Sequence, residues 1–212
     1  MNAPCVLTVA SLSPYYLEGL QAMGVEVLDR LHERDPEAFA RQAHRIRAVA
    51  AAGDSLVPAA LIAQLPALEV ISVMGVGYDG VDLPAALERG VCVGHTPGVL
   101  NDDVADLALA LMLAVSRGIV GADAHVRAGR WHTAGRPLQR KMSGARLGLV
   151  GMGRIGRAIA QRALAFGMQV AYTSRQQKVD LPWAFYADVA ELAAWSDFLV
   201  LITPGGAGTR HL

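Results

Sequence analysis

Cysteine is scarce: 212 residues hold only Cys5 and Cys92, and their spacing matches no metal-ligand pattern. Neither a disulfide-rich scaffold nor a metal site finds support, and reduced thiols in a cytoplasmic protein are the expectation. Charge of one sign is missing too, because 19 Lys+Arg balance 19 Asp+Glu. Nucleic acid and anionic membranes therefore have no electrostatic reason to bind. The opening stretch MNAPCVLTVASLSPYY lacks the basic region of a signal peptide, and its apolar run is far too short to span a bilayer. No repeat, low-complexity tract or heptad array interrupts the chain. What remains is 53% hydrophobic and 18% charged, enough to bury one large core or two small ones.

Over the first hundred residues, short β-branched runs alternate with Ala/Leu-rich segments. Strands are expected at 6–10, 25–28, 46–50, 70–73 and 91–93, and helices at 15–23, 36–44, 58–65 and 83–89. Alternation of this kind implies right-handed βαβ crossovers and a parallel sheet covered on both faces. A second unit starts near His95-Thr96-Pro97-Gly98. Val104, Leu107, Ala108, Leu111, Met112 and Val115 recur at helical steps behind Asn101, Asp102 and Asp103, which supply capping and first-turn negative charge. Leu109 and Leu113 widen the apolar face of this helix, 101–117, so that it should be buried against another domain or subunit. A polar connection over 118–143 follows, helical around 120–128.

Arg146–Arg157 reads RLGLVGMGRIGR. Leu147-Gly148-Leu149-Val150 is a buried strand, Gly151-Met152-Gly153-Arg154-Ile155-Gly156 a glycine turn, and the rest an apolar helical pattern. That context makes the G-x-G-x-x-G match a dinucleotide site. Gly151 permits the tight turn, Gly153 admits a pyrophosphate to the backbone, and Gly156 lets helix and strand pack closely. The helix N-terminus favours the phosphates. Further strands are expected at 168–172 and 198–202, with a helix at 189–195.

NAD sites usually carry Asp or Glu about 20 residues past the fingerprint to hold the ribose hydroxyls. Here the second strand ends in Thr173-Ser174-Arg175-Gln176, without a carboxylate. A guanidinium and a hydroxyl can hold a 2′-phosphate by charge-assisted hydrogen bonds. NADP is therefore expected over NAD, with Ser174, Arg175 and Gln176 at the ribose.

Several separated segments then match one family. They are Gly75-Val76-Gly77-Tyr78-Asp79 with Val81-Asp82, His95-Thr96-Pro97-Gly98-Val99-Leu100, Asp103-Val104-Ala105-Asp106-Leu107-Ala108, Gly129-Arg130-Trp131, the glycine turn, Ser196-Asp197-Phe198 and Thr203-Pro204. In this order they resemble the D-isomer-specific 2-hydroxyacid dehydrogenases, in particular the NADP-dependent glyoxylate/hydroxypyruvate reductases, over most of 70–212. The resemblance implies a flavodoxin-like, parallel-sheet α/β substrate domain at 1–97 and the first half of a Rossmann dinucleotide-binding domain at 98–212. It implies reduction of a small 2-oxo acid in a homodimer. Backbone N–H groups of Val76 and Gly77 would hold the substrate carboxylate, and Met74 and Tyr78 are candidates for selecting the substrate. Arg154 and Ile155 would meet the pyrophosphate, with Thr203 and Pro204 at the carboxyl edge of the sheet. Asn101 would lie near the nicotinamide or serve only as a helix cap.

The family's Arg, Glu or Asp, and proton-shuttling His occupy segments after the third or later strands of the nucleotide domain. This sequence reaches His211-Leu212, so no catalytic residue is assigned. His32, His44, His95, His125 and His132 read as turn or surface residues. Three nucleotide-domain strands, beginning at Leu147, Val170 and Phe198, compare with about six in a doubly wound domain. The first would then present an unpaired apolar edge. A fragment, an ordered portion or a truncated gene product is expected. Two alternatives stay open: a catalytically silent NADP- or partner-binding module on the same scaffold, and a nicotinamide enzyme with a different substrate domain.

Overall fold

Five strands of the first hundred residues join in one sheet: Cys5–Thr8 (β1), Glu26–Asp29 (β2), Ile46–Ala52 (β3), Val70–Met74 (β4) and Cys92–Gly94 (β5). In the computed structural model, which describes residues 4–212, they lie in the order β2-β1-β3-β4-β5 and every pairing is parallel. This is the flavodoxin-like order. Successive residues of a strand face opposite sides, which is why β1 is buried throughout. Val6 packs with Leu12, Leu20 and Ala50 on the side of Pro14–Ala22 (α1). Cys5 and Leu7 pack on the other, with Val49, Ile62 and Ile71. Each fully buried Leu or Ile there contributes about 1.5–3 kcal/mol.

The intervening helices begin at the sequence's own start signals. Ser13 accepts from the N–H of Tyr16 at the head of α1. Leu31–Arg34 (α2), a turn that periodicity did not announce, precedes Pro36–Gln42 (α3), where Asp35 accepts from Ala38. Ala59–Ala63 (α4) follows Pro58, and Leu83–Glu88 (α5) is capped by Asp82.

The described chain divides into two units. One comprises residues to Val99 with Pro204–Gly208, the other Leu100–Thr203 with Thr209–Leu212. The second unit opens on Asn101–Arg117 (α6), ended by Gly118 in the left-handed region at φ +58°, and Ile119–Arg127 (α7). The N-cap of α6 is Leu100, without a capping side chain. Asn101 is thus the first helical residue and not a cap, because the backbone already turns helical at its position.

Arg146–Val150 (β6), Arg154–Leu164 (α8), Gln169–Thr173 (β7), Ala184–Phe185 (β8), Val189–Trp195 (α9) and Phe198–Leu201 (β9) complete the unit. Its sheet runs β8-β7-β6-β9, all parallel. Two expectations are corrected here. A fourth strand, β8, is present, and β6 is paired on both sides, by β7 and β9. The edges of the described sheet are the two-residue β8 and the longer β9. Placing β9 across β6 rather than past β7 is what shelters β6, buried from Leu147 to Val150. Helix α6 packs along α8, with Ala105, Leu109 and Met112 in one core with Ile159, Ala160 and Ala163. Arg162 of α8 clamps Asp102 at 2.8 Å and Asp106 at 2.5 Å.

Candidate dinucleotide and carboxylate sites

The glycine turn is built by three different demands. At the end of β6, Gly151 adopts φ +111°, and a Cβ there would overlap the carbonyl oxygen of Ile202, which follows β9. Its N–H donates to Thr173 O, so the turn also grips β7. Gly156 is buried on α8, where a Cβ would overlap the carbonyl of Gly151. Gly153 is the N-cap of α8, exposed, with no heavy atom within 4 Å of where its Cβ would stand. Two glycines are therefore needed for packing inside the protein, and the middle one leaves open space over bare backbone. No side chain caps α8. Its first N–H groups, at Arg154 and Ile155, donate to no described residue, which suits an anion. These residues fit the pyrophosphate of a dinucleotide.

Ser174, Arg175 and Gln176 stand where β7 leaves the sheet. Ser174 Oγ donates to Gln176 O at 2.6 Å, while Arg175 is exposed and forms no ion pair among the described residues. Below them the loop is pinned. The buried Tyr172 hydroxyl accepts from Lys178 N at 2.7 Å and donates to Lys178 O at 3.2 Å. Asp180, the first carboxylate after β7, is held by Arg157 at 2.7 Å. The hydrogen bond from Arg157 keeps that carboxyl below the usual carboxylate range. The acid is thus committed to an ion pair and leaves the strand end to a cation.

Thr203 lies beside the turn, its methyl 3.3 Å from the Cβ position of Gly151. Pro204 falls in the other unit, and Asn101 is half-buried in the first turn of α6. The structure gathers the glycines, Arg154, Ile155 and Thr203 at one sheet edge, and Pro204 follows Thr203 directly in the chain.

Val76 and Gly77 sit in the loop leaving β4, at the carboxyl edge of the first sheet. Gly75, at φ +159°, lies so close to Gly53 that a Cβ would stand 2.9 Å from its Cα. Neither the Val76 nor the Gly77 N–H donates to a described residue. Successive free N–H groups of this kind form a concavity for an anion. Met74 and Tyr78 flank them, both partly exposed. One residue was passed over in the sequence: His95, just beyond β5, puts Nδ1 3.0 Å from Val76 O and its ring against Tyr78, centroids 4.7 Å apart. Nothing local could reveal this, since 19 residues separate the partners.

A parallel sheet whose first strand runs through G-x-G-x-x-G into an uncapped helix defines an NAD-binding domain of Rossmann type, here accompanied by a flavodoxin-like unit. Residues 109–212 match the model of the D-isomer specific 2-hydroxyacid dehydrogenase NAD-binding domain. Over all 212 residues the chain is 42% identical to a 2-ketogluconate reductase of Gluconobacter oxydans, of which it covers 67%. A solved 2-hydroxyacid dehydrogenase from Ketogulonicigenium vulgare superposes at TM-score 0.89 and 42% identity, over the whole chain and 67% of the relative. An NADPH-dependent glyoxylate/hydroxypyruvate reductase of Sinorhizobium meliloti, solved with NADP and malonate, gives 0.88 and 35%, over 98% of this chain and 65% of that one. The chain belongs to the D-isomer-specific 2-hydroxyacid dehydrogenase family, and spans about two thirds of the length of these relatives.

Proposed function

We propose that the intact protein reduces a small 2-oxo acid of the glyoxylate/hydroxypyruvate type to the D-2-hydroxy acid, with NADPH preferred over NADH. One observation carries the coenzyme preference: Arg175, at the end of β7, has no ion pair among the described residues, and the nearest following acid is already held by Arg157. Bound NADPH would supply a hydride to the carbonyl carbon while a proton joins the carbonyl oxygen, leaving NADP+ and the hydroxy acid.

The chain's own residues bind and orient. Arg154 and Ile155 N–H groups take the pyrophosphate over Gly153, Arg175 and Ser174 take the 2′-phosphate with Gln176 beside them, and Val76 and Gly77 take the substrate carboxylate. Ser174 must turn its hydroxyl away from Gln176 O to donate to a phosphate. The resemblance puts the carboxylate-binding Arg and the proton donor in segments following the strands described, and neither role is assigned to a residue of this sequence.

The test uses the complete polypeptide with glyoxylate or hydroxypyruvate: NADPH absorbance should fall faster than NADH absorbance. Turnover of neither acid, with either coenzyme, would sink the proposal. The named relatives include a 2-ketogluconate reductase, so 2-ketogluconate belongs in the same assay.

We further infer a homodimer, formed through α6. Leu107, Leu111 and Val115 make an exposed stripe at four-residue steps, 56–78% accessible, on the side away from α8. A contiguous row of exposed apolar side chains along one helix face suits contact with a second copy. A cytoplasmic setting is proposed with it.

A further inference from the structure

We propose that His95 is a positioning residue that aims the Gly77 N–H at the substrate carboxylate, a role that rests on the 2-oxo acid reading above. Its Nδ1 lies 3.0 Å from Val76 O. A carbonyl oxygen only accepts, so Nδ1 carries the hydrogen and donates. That carbonyl and the Gly77 N–H are opposite ends of one planar trans peptide. Holding the oxygen on one side holds the N–H on the other. A hydrogen bond on the carbonyl also polarises the peptide and strengthens its N–H as a donor.

The surroundings make this bond the loop's movable restraint. Gly75 is jammed against Gly53, and its carbonyl accepts from Thr96 N at 2.9 Å. The loop is thus tied at its root to the backbone that follows β5. Past that root, the Val76–Gly77 peptide has no ladder partner, and His95 is what grips it. Tyr78 closes on the imidazole edge-on, at 77° between ring planes, and keeps the ring upright. Asp79 adds a need for accurate aim. Its carboxylate oxygen lies 3.4 Å from the Cβ position of Gly77, so an arriving carboxylate meets a like charge and must be offset by a well-placed donor.

The experiment separates the two imidazole nitrogens in the complete enzyme. An Asn amide reaches about as far as Nδ1, whereas a Gln amide reaches about as far as Nε2. His95→Asn should therefore keep the bond to Val76 and His95→Gln should misplace it. The expected result is a KM for the 2-oxo acid within about 3-fold of wild type in His95→Asn and roughly 10-fold higher in His95→Gln. The KM for NADPH and the melting temperature should match in both. Equal oxo-acid KM in all three proteins would overturn the role. So would an equal rise in both variants, or a rise shared by NADPH, because the imidazole would then act on something other than this peptide. A wild-type enzyme inert toward 2-oxo acids removes the functional reading and the role of His95 together.

Discussion

Gly151, Gly153 and Gly156 have the same side chain and three different reasons for it, and substitution tells them apart. Gly151→Ala forces an unfavourable φ and a clash with the Ile202 carbonyl, which should cost about 1–3 kcal/mol or more in chemical denaturation. Gly153→Ala meets only solvent at φ −84°, where any residue is comfortable. Its stability should change by less than about 1 kcal/mol, yet the methyl group occupies the approach to the backbone. The KM for NADPH should rise while the melting temperature holds. Arg175 gives the complementary readout. In Arg175→Ala, NADPH affinity should fall about 10- to 100-fold, the worth of a charged hydrogen-bond partner, with NADH affinity nearly unchanged. An equal loss for both coenzymes would place Arg175 away from the 2′-phosphate.

Between residues and the whole lie contacts that join elements. Tyr172→Phe removes a buried hydroxyl that serves both the N–H and the carbonyl of Lys178. The loop after β7 should loosen at a cost of about 1–3 kcal/mol, and NADPH binding should weaken with it, measurable by calorimetry. Asp197, ahead of β9, accepts from the Arg146 N–H at 2.9 Å and pairs with its guanidinium. The backbone hydrogen bond, then the side-chain one, lower its carboxyl from the ordinary value. A depressed carboxyl stabilises above its unfolded value, and that stabilisation fades as pH falls through the folded one. Asp197→Asn should therefore melt below wild type at pH 7, and the two curves should converge as pH drops below about 4.

At the scale of the molecule, the exposed α6 stripe and the sheet edge at β9, where Leu199 and Leu201 are exposed, each carry a prediction about association. Leu111→Glu, in the stripe, should turn a dimer into a monomer in sedimentation without lowering helix content. The 212-residue chain should scatter light through pairing at the β9 edge. Leu201→Lys should reduce that scattering; if it does not, association runs through another surface.

The periodicity of residues 101–117 and 189–195 announced α6 and α9 at their observed ends, because a long apolar repeat and a cap are local properties. The parallel pairing of the first sheet followed from alternation with helices, while its strand order was implied by the family resemblance. The glycine turn was equally legible, as its chemistry lies within six consecutive residues. By contrast, β8 is two residues long and owes its existence to β7 beside it and to Phe185 against Tyr172, ring centroids 5.5 Å apart. The crossing of β9 to the far side of β6, the seizure of Asp180 by Arg157 and the grip of His95 on Val76 join residues 19 to 51 positions apart. Local pattern names elements because their hydrogen bonds close within a few residues. Partners that meet only after the chain has folded back leave no periodic mark, and packing chose them.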